Sequence, residues 1–230
     1  MKISRYIIFI ILFYSLFCTS CKKDSTSVSS IDVSKISRIV NSSSSSSFFY
    51  NSNGQIIKEI DSLFSFSPVH ILKTTYNYSD SAIVLLITDY TNATLAQILH
   101  LNPKGLVISK DNNTFYEYNS NNYLIQEVVS YTYSLITSMK TTYSIQDGNN
   151  VIETTLVNYY GGRQEINTTK YNYSNYMNTI GTENLGQAFW GKQNKNLILS
   201  SNVVYTFDSK NRVSVVTTDS NNETKYYYAN

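Results

Sequence analysis

The chain is 230 residues long, enough to bury a sizeable core, and carries 18 Lys and Arg against 16 Asp and Glu. A charge so close to neutral, with no basic stripe, excludes nucleic acid as a partner. Both cysteines, Cys18 and Cys21, stand at the N-terminus, so the body of the chain has no thiol for a disulfide, a metal or a nucleophile.

The first element in chain order is a targeting segment. Lys2 and Arg5 precede the apolar run YIIFIILFYSLF (6–17), which is too short for a membrane span. The run ends in CTSC, with small residues Thr19 and Ser20 directly before Cys21. This resembles a bacterial lipoprotein signal, in which that cysteine is acylated and becomes the mature N-terminus. Plain secretion or an uncleaved anchor is the alternative. Lys2 and Arg5 are the only charged residues in the signal, so the remaining chain has 16 basic and 16 acidic side chains. Attachment then rests on the acyl chains, each buried CH₂ contributing about 0.8 kcal/mol. Residues 1–20 are read as signal peptide, 21–34 as the acylated Cys21 with a Ser-rich flexible tether, and 35–230 as one domain.

Within that domain the predicted elements are strands nearly throughout. ISRIV (36–40) has strand character, and the serine run NSSSSSS (41–47) is expected to be a long loop behind it. QEVVSYTY (126–133), VIETTLVNYY (151–160), EINTTKYNY (165–173) and KYYY (225–228) alternate and are rich in Tyr, Thr, Val and Ile, which suit a pleated, half-buried surface. Between strands a four-residue unit recurs: NSNG (51–54), NPKG (102–105), NSNN (119–122) and DSKN (208–211). Its first residue can bond the backbone ahead of it through a short side chain. Pro103 fits the second place of a type I turn. The fourth place, held by Gly54, Gly105, Asn122 and Asn211, calls for φ > 0, which Gly adopts freely and Asn tolerates. The unit is hairpin punctuation with a structural role. The expected fold is all-β: an antiparallel meander rolled into a barrel-like or strongly curved sheet.

Hairpin units of this kind behind a lipoprotein signal resemble a family of Bacteroidetes lipoproteins catalogued as a domain of unknown function with a porin-like fold. The resemblance covers most of the mature chain. It is most specific in the C-terminal third, in GKQNKNLI (191–198), VYTFDSKNRVSV (204–215) and TKYYY (224–228). The units are also similar, more weakly, to the Tyr-Asp repeats of large bacterial surface proteins. The family implies a fold and an address in the outer membrane, on its periplasmic or cell-surface side, and no activity. A literal pore is not expected. Along EINTTKYNY, Glu165, Asn167 and Thr169 alternate with Ile166, Thr168 and Lys170, and neither face would sit in hydrocarbon.

Catalytic patterns are sparse. His70 and His100 stand apart, and the mature chain has no HxH, HExxH or CxxC, so no metal and no cofactor is expected. GxSxG and phosphate-binding Gly loops are missing as well. Glu117 and Glu127 flank a turn and could form a carboxylate pair. NTIGTENLGQAFWGKQNKNL (178–197) holds the only Trp, breaks the alternation, and reads as a short helix or long loop packed at a barrel mouth. Two roles are open to it. Asn184, Phe189, Trp190, Lys192 and Asn196 would form a sugar-binding surface, or Phe189 and Trp190 would plug the barrel as core. DST, DSL and DSA resemble Bacteroidetes O-glycosylation sites at Ser25, Ser62 and Ser81.

A binding or accessory module of the cell envelope is therefore expected, with a glycan or an envelope protein as partner, as a lipid-anchored monomer. A glycan hydrolase with a carboxylate pair and a purely structural envelope protein are the alternatives.

Overall fold

The computed structural model describes residues 35–132, 134–218 and 222–229, within a compact unit spanning 33–230. The expected signal peptide, Cys21, the tether and Ser25 lie outside the described residues. The regular secondary structure of the described chain is all β apart from one 3₁₀ turn. In order the strands are β1 (Ile36–Val40), β2 (Ser44–Tyr50), β3 (Ile56–Leu63), β4 (His70–Tyr78), β5 (Ala82–Thr88), β6 (Thr94–Leu101), β7 (Val107–Lys110), β8 (Thr114–Tyr118), β9 (Leu124–Ser130), β10 (Ile136–Gln146), β11 (Asn149–Tyr159) and β12 (Gln164–Lys170). β13 (Asn172–Met177), β14 (Asn196–Leu199), β15 (Val203–Phe207), β16 (Val213–Thr218) and β17 (Glu223–Tyr228) complete the set.

β1 to β12 pair consecutively as an antiparallel meander. β17 then pairs with β1 and brings β16 and β15 with it, giving a 15-stranded sheet whose edges are β12 and β15. The sheet is not closed on itself. The two-stranded sheet of β13 and β14 is tied to both edge regions. Tyr173 donates to the Asn150 carbonyl of β11 at 2.5 Å, and Tyr205 of β15 donates to the Ile198 carbonyl of β14 at 3.3 Å.

The repeated turn is built as its chemistry demands. In each of the four copies the first side chain accepts two backbone N–H bonds, as Asn51 does from Asn53 and Gln55, both at 3.0 Å. The fourth residues have φ of 72° (Gly54), 77° (Gly105), 68° (Asn122) and 58° (Asn211). A register shift follows every one, at Tyr50, Leu101, Tyr118 and Phe207, the mark of a type I turn ending in a bulge. A fifth copy, Asp89–Asn92 (DYTN), has the same bonds and φ 65° at Asn92, although no Gly marks it. Gly54→Val forces a β-branched side chain into φ > 0 and is expected to destabilise by about 1 kcal/mol or more. Equilibrium urea unfolding measures this, and an unchanged midpoint would contradict it.

Two sequence expectations are corrected. Four of the six serines are strand: Ser44–Ser47 pair with β3 and most also with β1, the turn being confined to 41–43. Pairing on both sides overrides the poor β-propensity of Ser, and the small side chains suit their neighbours: Ser45, 6 % exposed, receives Arg38 at 3.0 Å, and Ser46 donates to Asp61. The expected strand 165–173 breaks at Tyr171, whose N–H still reaches the Val151 carbonyl at 3.0 Å before the chain leaves the main sheet as β13.

Antiparallel succession puts alternate turns at opposite ends of the sheet. The turns at 51–54, 79–81, 102–105, 119–122, 147–148 and 208–211 share one end. Residues 178–195 run across that end as irregular chain with a single 3₁₀ turn, Ala188–Trp190. Their backbone is stitched to the turns and strand ends. Ile36 and Ile56 N–H groups donate to Asn184 and Gly186 carbonyls, Lys192 N–H donates to Asn122, and Lys195 N–H donates to Gly148. Phe189 enters the core beneath, among Ile36, Phe48, Ile56, Tyr76, Ile83, Leu99 and Val107.

Candidate functional site

The end closed by 178–195 carries the crevices. The tip of the β6–β7 hairpin (102–106) stands between two of them. On its β4–β5 side a crevice of about 510 Å³ is lined by Gln55, Tyr78, Asp80, Lys104, Gly186 and Phe189, among others. On its β8–β9 side lies a slit of about 370 Å³ containing Lys104, Tyr116, Glu117, Tyr118 and Asn122. A third hollow, about 200 Å³, lies between Tyr123 and the closing segment. Side-chain amides and tyrosine rings are concentrated in the slit and in the third hollow, whereas the 510 Å³ crevice is lined mostly by apolar residues and glycine with Tyr78 and Gln55 among them. The amide-and-ring mixture suits a hydroxyl-rich ligand.

The five residues expected to form one sugar-binding surface are divided by the structure. Phe189 is 7 % exposed and belongs to the core, with ring centroids 6.4 Å from Tyr76 and from Tyr78; only part of it reaches the 510 Å³ crevice. Trp190 is half-buried, edge-on to Tyr116 at 5.2 Å and tilted on Phe189 at 5.7 Å. The pair is thus packed inward. Asn184 and Lys192 line the 200 Å³ hollow instead, and the Lys192 ammonium lies 5.6 Å from the Tyr123 ring centroid. The Asn196 amide is engaged by Asn149 at 3.0 Å and the Tyr176 carbonyl at 3.3 Å. Ser62 lies in β3, paired with Ser45 and Ile71, and Ser81 is exposed in the β4–β5 turn.

Glu117 and Glu127 do not form a pair. Glu127 is opposite Tyr116 in the β8–β9 ladder and Glu117 opposite Gln126, so the two carboxylates lie on opposite faces of the sheet. His70 stacks between Phe66 (4.2 Å) and Tyr90 (3.7 Å) at the other end, and His100 is exposed on β6. No group of three or more His, Cys, Asp or Glu that could hold a metal occurs among the described residues.

What sequence reading missed is an inward row of carboxylates among tyrosines. Glu59 on β3 shares its face with Asp61 two residues on, and Tyr76 donates to it at 3.0 Å. Tyr171 donates to Glu153 at 3.2 Å, and Tyr116 and Tyr143 lie beside Glu127. Burial, and then the nearby Asp61, push the Glu59 carboxyl up to about 7, against a smaller opposing effect of the Tyr76 hydrogen bond. Glu59 stands in a plain strand, and only the pairing of β2, β3 and β4 reveals its setting.

A raised folded pKa means that Glu59 contributes stability fully below its unfolded value near 4.5, and that this contribution is lost as pH rises through about 7. Glu59→Gln removes the titration. Relative to wild type, the variant should therefore gain about 2–3 kcal/mol between pH 4.5 and pH 8. Urea unfolding at both pH values measures this, and parallel behaviour of the two proteins would show that Glu59 titrates normally.

No protein-family model matches the chain, and no curated protein matches it.

Proposed function

We propose that the protein is a saccharide-binding module of the cell envelope, tethered to the outer membrane through acylated Cys21. The observation that supports binding is the slit beside the β6–β7 tip, walled by the amides of Asn102, Asn119 and Asn122 and the rings of Tyr116 and Tyr118, with the larger crevice adjoining it across the tip. The CTSC segment after an apolar run supports the tether. Mass spectrometry of membrane-extracted protein is expected to show Cys21 as an acylated N-terminus, and Cys21→Ala to lose the lipid. An unmodified N-terminus elsewhere would overturn the tether. Binding is tested by calorimetry of the detergent-extracted protein against neutral and acidic oligosaccharides.

A second reading, glycan hydrolysis, is favoured by one feature: Glu59, its carboxyl pushed up to about 7 by burial and by Asp61, stands on the same face as Asp61. A proton donor beside a second carboxylate is the equipment of a glycosidase. Scoring the same oligosaccharides for cleavage separates the readings. Cleavage abolished by Glu59→Gln supports the enzyme, and binding without cleavage supports the module.

A further inference from the structure

β7 and β8 pair at only two positions, Ser109 with Phe115 and Lys110 with Thr114. The flanking ladders run longer, at three positions for β6 with β7 and five for β8 with β9. Continued in the same register, β7 and β8 would set Leu106 opposite Tyr118. Instead the strands part toward the closed end, and the 370 Å³ slit occupies the split. The sheet is opened from within, between two hairpins that each carry the repeated turn.

Two polar atoms of the slit residues are buried without a hydrogen-bond partner: the Tyr118 hydroxyl and the Asn122 Oδ1. Buried polar groups in folded proteins are almost always paired, because an unmade bond forfeits their hydration. Here both belong to residues that are firmly placed. Asn122 has φ 68°, its N–H donates to the Asn119 carbonyl at 3.0 Å, and its own carbonyl receives Lys192 N–H at 2.8 Å. The Tyr118 ring lies so close over Gly191 that a Cβ there would meet Tyr118 Cε1 at 2.7 Å and the Asn122 carbonyl oxygen at 2.6 Å. Gly191 thus permits the close packing of the Tyr118 ring against the closing segment.

The chemistry of the two atoms selects the ligand. Asn122 Oδ1 only accepts, while the Tyr118 hydroxyl donates or accepts. An anion offers no donor to Oδ1, and Glu117 in the same wall repels it. A sugar hydroxyl both donates and accepts, and the tyrosine rings offer cover for the apolar face of a pyranose. Lys104 and Glu117 contribute one charge of each sign, which favours a ligand without net charge. Lys104 and Leu106 also line the 510 Å³ crevice, so a chain of sugars leaving the slit passes over the β6–β7 tip into it.

We propose that the β7–β8 slit is a subsite for a neutral saccharide, with the Tyr118 hydroxyl and Asn122 Oδ1 meeting its hydroxyl groups. The proposal rests on the saccharide-binding reading above and gives it a location, on the hairpins that the 184–198 segment packs against rather than on that segment itself. The test uses the full chain in detergent micelles with hexasaccharides of β-glucan, mannan and xylan, and oligogalacturonate as the acidic comparison. Tyr118→Phe removes one orphaned group and keeps the ring; Asn122→Gly removes the other and keeps the positive φ. Each is expected to weaken binding of a neutral hexasaccharide at least tenfold while leaving the unfolding midpoint unchanged or raised, because an unsatisfied buried group has gone. A purely structural tyrosine or asparagine would show the opposite pattern, lower stability with affinity intact, and that result overturns the subsite. Binding that survives both variants but is lost in Lys192→Ala moves the site to the neighbouring hollow and also overturns it, with the binding reading still standing. Preference for oligogalacturonate overturns the neutral-ligand assignment. Failure of wild type to bind any of the four sinks the saccharide reading and the subsite together.

Discussion

Replacing Phe189 by Ala is expected to lower the unfolding free energy by about 3–5 kcal/mol, the range for truncating a buried aromatic side chain. Phe189 is the one large side chain between residues 178 and 195 that is buried, at 7 % exposure. It reaches from a segment with almost no regular structure into a core otherwise drawn from the strands, between Tyr76, Tyr78 and Trp190. Its loss would leave a cavity below the segment, with Ile180, Leu185 and Trp190 as its remaining apolar anchors. The neighbouring Trp190 is half-buried, so Trp190→Ala should cost clearly less than Phe189→Ala, in keeping with the smaller area it withdraws from water. Equilibrium denaturation ranks the two. Hydrogen exchange adds a local readout: the Ile36 and Ile56 amides, which donate to Asn184 and Gly186, should lose protection in the Phe189 variant before those of β10 and β11. Equal losses for the two aromatics would mean that the segment is held by its backbone bonds alone.

The parts of this fold that were legible in the sequence are the local ones. A turn that needs φ > 0 at its fourth place, and a side-chain acceptor at its first, writes itself as N-x-x-G or D-x-x-N, and alternation of Tyr, Thr and Val marks the strands between. Even there the signal has limits. Asp89–Asn92 makes the same turn around Tyr90 and Thr91, but neither residue looks like a turn former, so the unit is hidden in a stretch of β-favouring letters. Ser44–Ser47 adopt strand because partners flank them, and a serine run carries no mark of that. Tyr171 ends β12 because the chain must leave the main sheet, which no residue at that point announces.

The site was legible only in outline. The closing role of 178–197 could be inferred from its lost alternation and its single Trp. The crevices could not, because they depend on which turns share an end, and that depends on every strand between them. Tyr118 and Asn122 illustrate the point. In sequence both look like ordinary parts of a hairpin, and a positive φ alone accounts for Asn122. The split of β7 from β8 and the passage of Gly191 beneath the tyrosine are tertiary facts, and they give the same residues unsatisfied polar atoms. Glu117 and Glu127 fail in the opposite sense: a pairing plausible by spacing is forbidden because one register step separates their faces.

Gly186→Ala is expected to destabilise by about 2–4 kcal/mol, through two costs that can be separated. The first is conformational: Gly186 has φ 68°, where an L side chain is strained by about 1 kcal/mol or more. The second is steric. A Cβ at Gly186 would stand 2.7 Å from Tyr50 Cε1, 2.8 Å from the Gly54 carbonyl oxygen and 2.8 Å from the Ile56 nitrogen. Two of those three atoms belong to the backbone of the β2–β3 hairpin and cannot swing aside as a side chain would. Insertion of one methyl into such a contact adds about 1–3 kcal/mol. Gly105 supplies the control: its φ is 77°, yet nothing lies within 4 Å of its would-be Cβ, so Gly105→Ala should show the conformational cost alone, about 1 kcal/mol. The excess of the first variant over the second then measures how tightly the closing segment is pressed onto the sheet end. It should fall together with the Ile56 amide's protection, since that amide donates to the Gly186 carbonyl at 3.2 Å. If both alanine variants unfold at the same urea midpoint, the segment rests loosely on the turns, and the crevices beside Gly186 are not the fixed walls that a pre-formed binding site requires.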